Sequence, residues 1–319
     1  MNSQVNAMSD SDSDSHTNES DGNDSQAAVL RVIPQGQLLY WSVRRELWEN
    51  RSLYIAPAAV ASVYLLAYFI STIHLREKML SALALDPMQQ QESIQQPYTF
   101  AALLIMGVSL IVGVFYCLDS LYGERRERSV LFWKSLPVSD LMTVLSKASI
   151  PLVVLPLITF AVSLAVWWIM LLFSTAVLLG NHGTVSLLWT HTAWMRMSAM
   201  LLYHLLAVHA LWWAPFWGWL LLVSAWARRA PFLWAGLPVL AIAVLEKIAL
   251  NTNYFASLLI DRFFGGPQSP GSRADSMSMD HMSPTLMQLL ASTSFWIGLA
   301  VCAAFLVIAV RLRRSREPI

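Results

Sequence analysis

The sequence predicts an all-α integral membrane protein: six transmembrane helices, an N-terminal interfacial amphipathic helix, and both termini cytoplasmic. Three observations carry this expectation. Of 319 residues, 56% are hydrophobic and 13% are charged, roughly half the charged share of a soluble domain. Six apolar stretches each approach the ~20 residues that a helix needs to cross a hydrocarbon core of about 30 Å. Finally, Lys and Arg concentrate in alternate connections between those stretches, as positive-inside placement requires.

The elements follow in order. Residues 1–28, with "SDSDSDSHTNESDGNDS", hold no Lys or Arg. They do not read as a signal peptide and are too polar to offset the entropy of ordering, so a disordered acidic cytoplasmic tail is expected. Residues 29–52 form the interfacial segment. Within "QLLYWSVRRELWENRS" (Gln37–Ser52), Leu39, Tyr40, Val43 and Leu47 are read as one side of a helix, extended by Trp41 and Trp48. Ser42, Arg45, Glu46 and Glu49 are assigned to the opposite side, while Arg44 and Arg51 snorkel. Such a helix lies in the membrane plane.

The transmembrane domain runs from 53 to 314, with spans at about 53–73, 99–121, 150–172, 201–225, 231–250 and 289–310, and a short tail at 315–319. With the N-terminus inside, the inner segments carry fifteen basic residues and the outer loops five, Lys247 falling within a span. Prolines 57, 151, 156, 215 and 238 fall within or at the ends of spans, where neighbouring helices can satisfy the carbonyls they free.

Between spans two and three stands "ERRERSVLFWKSLPVSD", Glu124–Asp140. Glu124 and Arg128 stand at i,i+4 in the stabilising order, which extends the helix of span two. Pro137 disfavours helix at Leu136. Ser139 or Asp140 then caps a new helix, and span three begins at the Ser149-Ile150-Pro151 step. Positive-inside anchoring explains the arginines alone, but a turn held between two amphipathic pieces suits docking to a partner.

At this point the chain resembles the membrane subunit of ABC transporters of the ABC-2 (type-2 exporter) permease family. The likeness is carried by "RELWENRSLYIAP", "YGERRERSVLFWKSLPVSDLMTVLSK" and "SAWARRAPFLWAGLPVLAI", and spans about Leu38 to Arg314. It implies a connecting helix bearing Trp41, Arg44, Arg45, Glu46 and Trp48. It also implies an ATPase-coupling segment with Glu124, Arg125, Arg126, Arg128, Trp133, Lys134, Leu136, Pro137 and Asp140, and a second cytoplasmic contact at Arg228 and Arg229. The implied partners are two copies of a cytoplasmic P-loop ATPase and a second permease subunit, identical or related, in a bacterial inner (plasma) membrane. The long acidic tail and the Gly-, Pro- and Met-rich outer loop depart from the family pattern, so no substrate is carried over.

No GxxxxGK[ST] is present, so the chain itself is not expected to be an enzyme or to bind a cofactor; ATP-Mg would sit on the partner. HExxH and GxSxG are also missing, which argues against a zinc protease or a serine hydrolase. Cys117 and Cys302 lie in apolar runs and build no metal site. His204 and His209 are five apart, about 140° around an α-helix, and are not expected to share a ligand face. The outer "MSMDHM" (Met277–Met282) offers soft donors, although in a flexible loop such a composition is more often chance. No metal site is assigned. Glu246, ionisable within span five, is the candidate for the translocation path. Nothing points to nucleic acid. The competing reading is a non-transporting membrane scaffold or sensor that binds a cytoplasmic partner.

Overall fold

The computed structural model describes residues 35–74, 86–127, 139–178, 185, 188–189, 194–265 and 286–315. The acidic tail, residues 29–34, the Met277–Met282 stretch and residues 316–319 lie outside these, as do Arg128, Trp133, Lys134, Leu136 and Pro137. Every regular element among the described residues is helical: α1 (Gln35–Glu49), α2 (Ser52–Ser71), α3 (Pro87–Arg126), α4 (Asp140–Leu178), α5 (Trp194–Trp212), α6 (Ala214–Trp226), α7 (Pro231–Leu250), α8 (Tyr254–Ile260), α9 (Leu286–Ala291) and α10 (Thr293–Ser315). Five of them (α2, α3, α4, α7 and α10) are long and apolar enough to cross a membrane. The pair α5–α6, bent by 49°, makes a sixth if it is one span. This is compatible with a multi-pass membrane protein.

Three elements differ from the sequence expectation, each for a local reason. Span two is embedded in a helix of 40 residues, roughly 60 Å long and twice the hydrocarbon thickness. It starts early because Pro87 occupies the first turn, where its missing N–H costs nothing. The extension is anchored by Ile94 against Leu171, Leu178 and Leu188.

Span three, expected from the Ser149-Ile150-Pro151 step, is continuous with the helix that precedes it. The helix runs unbroken from Asp140 to Leu178, with Ser139 capping it through Oγ, which accepts from Met142 N at 3.2 Å. The proline is absorbed by a π-helical turn over Ile150–Val154, which re-routes the hydrogen bonds that Pro151 cannot make.

Span four is broken. Its first half turns π-helical over His204–Trp212, and the chain bends before Pro215. The indole of Trp217 donates to His209 O at 2.9 Å, satisfying one carbonyl near the break.

The long α3 is the centre, with α2, α4 and α6 packed along it. Tyr116, Cys117 and Leu118 of α3 join Leu53, Leu155, Trp217 and Leu221 in one core cluster, while Tyr98, Ala101 and Ile105 join Tyr68, Trp167 and Met170 in a second. Several buried hydroxyls pair inside this apolar bundle. Thr159 Oγ1 and Ser109 Oγ lie 2.8 Å apart, and Tyr68 and Ser174 are 2.7 Å apart. By contrast α7 buries no residue at all, and its apolar circumference is stable only in apolar surroundings. A left-handed Ala230 (φ 47°) and Pro231 start it, and a left-handed Asn251 (φ 52°) ends it.

Helices α6 and α10 approach closely at Gly218. A Cβ there would lie 3.2 Å from Cys302 Sγ and 3.3 Å from the Cys302 Cα and O atoms, the small-residue contact typical of membrane helices. Gly218→Val is therefore expected to force α6 and α10 apart and to destabilise by about 1–3 kcal/mol. Gly236→Ala on α7 meets nothing within 4 Å and should hold or gain stability. Thermal unfolding of the two purified variants in detergent separates these outcomes.

Candidate functional site

One end of the bundle gathers α1, the C-terminal turns of α3, α6 and α10, and the start of α4. Their charges form a single chain of alternating sign. Lys147 Nζ lies 2.9 Å from Glu46 Oε1 and 3.1 Å from Glu124 Oε1. Arg313 bonds Glu124 through Nη1 and reaches Asp140 Oδ1 through Nε at 3.0 Å. Arg45, at 3.3 Å from Glu46, and Arg314, at 3.8 Å from Asp140, close the two ends. Tyr116 OH donates to the second oxygen of Glu46 at 3.0 Å. The order is thus Arg45, Glu46, Lys147, Glu124, Arg313, Asp140, Arg314, in which every inner charge has an opposite charge on both sides.

Burial makes that order compulsory. The side chains of Glu46 and Lys147 are 1% and 3% exposed, and a charge taken out of water needs a close partner. The local sequence explains how Glu46 comes inside. The expectation that it faces away with Ser42, Arg45 and Glu49 is overturned. Seven residues after Leu39 and three after Val43, it returns to the helix stripe that Val43 and Leu47 pack into the core. Trp41, Arg44 and Trp48 form the opposite, exposed face instead. The Arg44 guanidinium sits 5.2 Å from the Trp41 ring and 5.8 Å from the Trp48 ring.

Arg125 is buried. Its Nη2 donates to Ser224 O and Ala227 O, both at 2.7 Å. These are carbonyls at the end of α6, where a cation also meets the negative end of the helix dipole. Ser224 Oγ in turn lies 3.0 Å from Leu121 N and Tyr122 N, so α3 and α6 are bolted together at this level. Arg126 is exposed, 3.7 Å from Glu127. Arg228 and Arg229 are exposed in the short turn between α6 and α7.

Of the predicted coupling residues, the structure therefore brings Glu124 and Asp140 together through Arg313, turns Arg125 inward, and leaves Arg126 outward. Sequence reasoning missed Lys147 and Arg313 as site residues, because positive-inside anchoring accounted for both. The signal was available. Glu46 on an apolar stripe and Glu124 at the end of a span both require cations at the same depth.

Glu246, the candidate for the translocation path, lies near the end of α7. Its carboxylate accepts from Thr252 Oγ1 at 2.8 Å, Tyr254 N at 2.6 Å and Phe255 N at 2.8 Å. It caps α8, folding that helix back beside the end of α7. Beyond α8, Arg262 stacks 3.9 Å from the Trp212 ring centre and donates to Ser294 O at 3.0 Å. Burial pushes its guanidinium down to about 10, and Gly298 leaves the space that its Nη2 fills.

Lys147→Met strands Glu46 and Glu124 and is expected to cost about 3–5 kcal/mol. Adding Glu46→Gln should recover at least about 1 kcal/mol of that, since contacting partners are not additive. Unfolding of the two single variants and the double variant in detergent measures the coupling.

The chain matches no protein-family model, no curated protein and no solved structure, so its function is argued from its own residues.

Proposed function

We propose that this chain is the transmembrane permease subunit of an ATP-driven ABC-2 type exporter, coupling hydrolysis by a separate ATPase subunit to substrate translocation. The observation that supports this reading is the alternating ion chain. It ties Glu124 and Asp140, the described residues on either side of 128–138, to α1 through Lys147 and Glu46 and to α10 through Arg313. A force applied to 128–138 would therefore reach four helices at once.

In this reading the ion-paired end faces the cytoplasm of a bacterial cell, in keeping with the basic asymmetry of the sequence. A P-loop ATPase, present in two copies, grips the segment between Glu124 and Asp140, with Arg126 and the Arg228–Arg229 turn as exposed contacts. ATP-Mg resides on that partner, and a second permease, identical or related, completes the path. ATP-driven closure of the ATPases biases the segment, and the bundle shifts between inward and outward access by differential binding. Glu246, the candidate for the translocation path, caps α8, and Arg125 braces α3 against the end of α6.

Affinity purification from the native membrane is expected to bring down a P-loop ATPase. Leu136→Ala with Pro137→Ala, or Arg126→Glu with Arg128→Glu, should lower permease-stimulated ATP hydrolysis at least about tenfold, a loss of ~1.4 kcal/mol of coupling, while membrane insertion is preserved. Reproducible absence of any such ATPase would favour the scaffold reading. Labelling of Ser135→Cys from outside intact cells would overturn the proposed orientation.

A further inference from the structure

We propose that the outward stripe of α1 is a binding site for the headgroup of an anionic phospholipid, with Arg44 as the recognising cation. This rests on the membrane reading of the chain and not on the exporter reading, so either can fail alone.

The first support is where the packing of α1 leaves its side chains. Because Glu46 is buried and Val43 and Leu47 pack against the core, the outward stripe consists of Gln37, Tyr40, Trp41, Arg44 and Trp48. At 3.6 residues per turn these five fall within about 100° of the helix circumference, with Arg44 near the middle. Tyr40, Trp41 and Trp48 are 60%, 58% and 69% exposed. Large rings with polar tips, set around a cation, suit the headgroup layer better than either water or hydrocarbon. Only Asn50 and Arg51 separate α1 from α2, which is long and apolar enough to cross a membrane. The first turn of α2 exposes Tyr54 and Ile55. The stripe therefore stands at the end of a crossing helix, where headgroups lie.

The second support is charge. Trp41, one turn before Arg44, and Trp48, one turn after it, flank its guanidinium at 5.2 and 5.8 Å. Cation–π attraction holds the group between the rings without consuming its N–H donors. Among the described residues no carboxylate pairs with Arg44 or with Arg51. The nearby acids are already engaged, Glu49 with Arg45 at 3.4 Å and Glu46 with Lys147 at 2.9 Å. The exposed surface from Gln37 to Arg51 is thus net positive, and a guanidinium fork matches the oxygens of a phosphate.

The surroundings choose between anions. An acidic protein surface would answer the charge and leave the apolar start of α2 uncovered. An anionic phospholipid answers both, with its phosphate on Arg44 and its acyl chains along Tyr54 and Ile55.

The test uses the full chain in nanodiscs of equal phosphatidylglycerol and phosphatidylcholine, with the lipids retained on the released protein counted by native mass spectrometry. The parent is expected to favour phosphatidylglycerol at least about fivefold, the preference that one basic residue near an anionic surface commands. Arg44→Gln should lower that preference about fivefold. Trp41→Ala with Trp48→Ala should lower it at least about twofold although the charge is kept. A separate readout leaves Arg44 and both tryptophans in place: Tyr40→p-benzoylphenylalanine, illuminated in the native membrane, should yield a phospholipid adduct. Equal retention of the two lipids, a preference unchanged by Arg44→Gln, or adducts to a protein in place of lipid would each overturn the assignment.

Discussion

A lysine ammonium buried between two carboxylates is the constraint on which this structure depends. Lys147 can be desolvated only because Glu46 and Glu124 stand within 3.1 Å of it, and each of those acids is itself admissible only because its own cations are in place. The chain of obligation runs from α1 through α4 and α3 to α10. Such an arrangement adds little net stability over a well-packed apolar replacement, since desolvation consumes most of the Coulomb gain. Its effect is on uniqueness. Any slip of α1 along α4, or of α10 against α3, would strand a buried charge, so the network fixes register among helices whose greasy flanks alone would tolerate sliding.

The apolar interior meets the same demand by other means. Proline and bending free backbone carbonyls that no water can satisfy, and the bundle answers with wider turns and long side-chain donors. Trp217 reaches His209 O, Trp167 reaches Tyr98 O, and Tyr64 reaches Pro97 O. Each donor is an aromatic residue large enough to pack as a hydrophobe while its one polar atom spans to a neighbouring helix. Two of the three π-helical segments among the described residues, Ile150–Val154 and His204–Trp212, pack against each other. Two places where the regular ladder is relaxed are therefore in contact within the bundle.

The all-helical class and the five or six long apolar helices were legible in the sequence, because the length of an apolar run is a coarse property that tertiary detail does not alter. The ends of α7 were legible in their chemistry, with Pro231 at the start and Asn251 at the stop. Three things were not. The 40-residue extent of α3 depends on Ile94 finding Leu171, Leu178 and Leu188, a long-range contact. The π-helical turns depend on how Pro151 and Pro215 are absorbed, which periodicity assumes away by imposing a fixed angle per residue; the 5.7 Å separation of the His204 and His209 rings is a consequence. The ion chain was half legible. Its acids were seen and its arginines counted, but charges were assigned to the surface by type, and only the position of Glu46 on the Leu39–Val43 stripe shows that type was the wrong guide.

The location of the ion chain also bears on how a force would travel. Arg125 and Ser224 lock α3 to α6 at the same level, and α6 is the helix that presses on α10 through Gly218. Motion entering at Glu124 or Asp140 is thus shared by α1, α3, α4, α6 and α10 before any side chain has to change its partner. The helix that escapes this lock is α7, which buries nothing and is held at its far end by the cap that Glu246 gives α8. A bundle so divided moves as one block with one loosely attached helix. In the proposed exporter the relative displacement would then fall between α7 and the rest, or between this block and a second copy, and not within the ion-paired core.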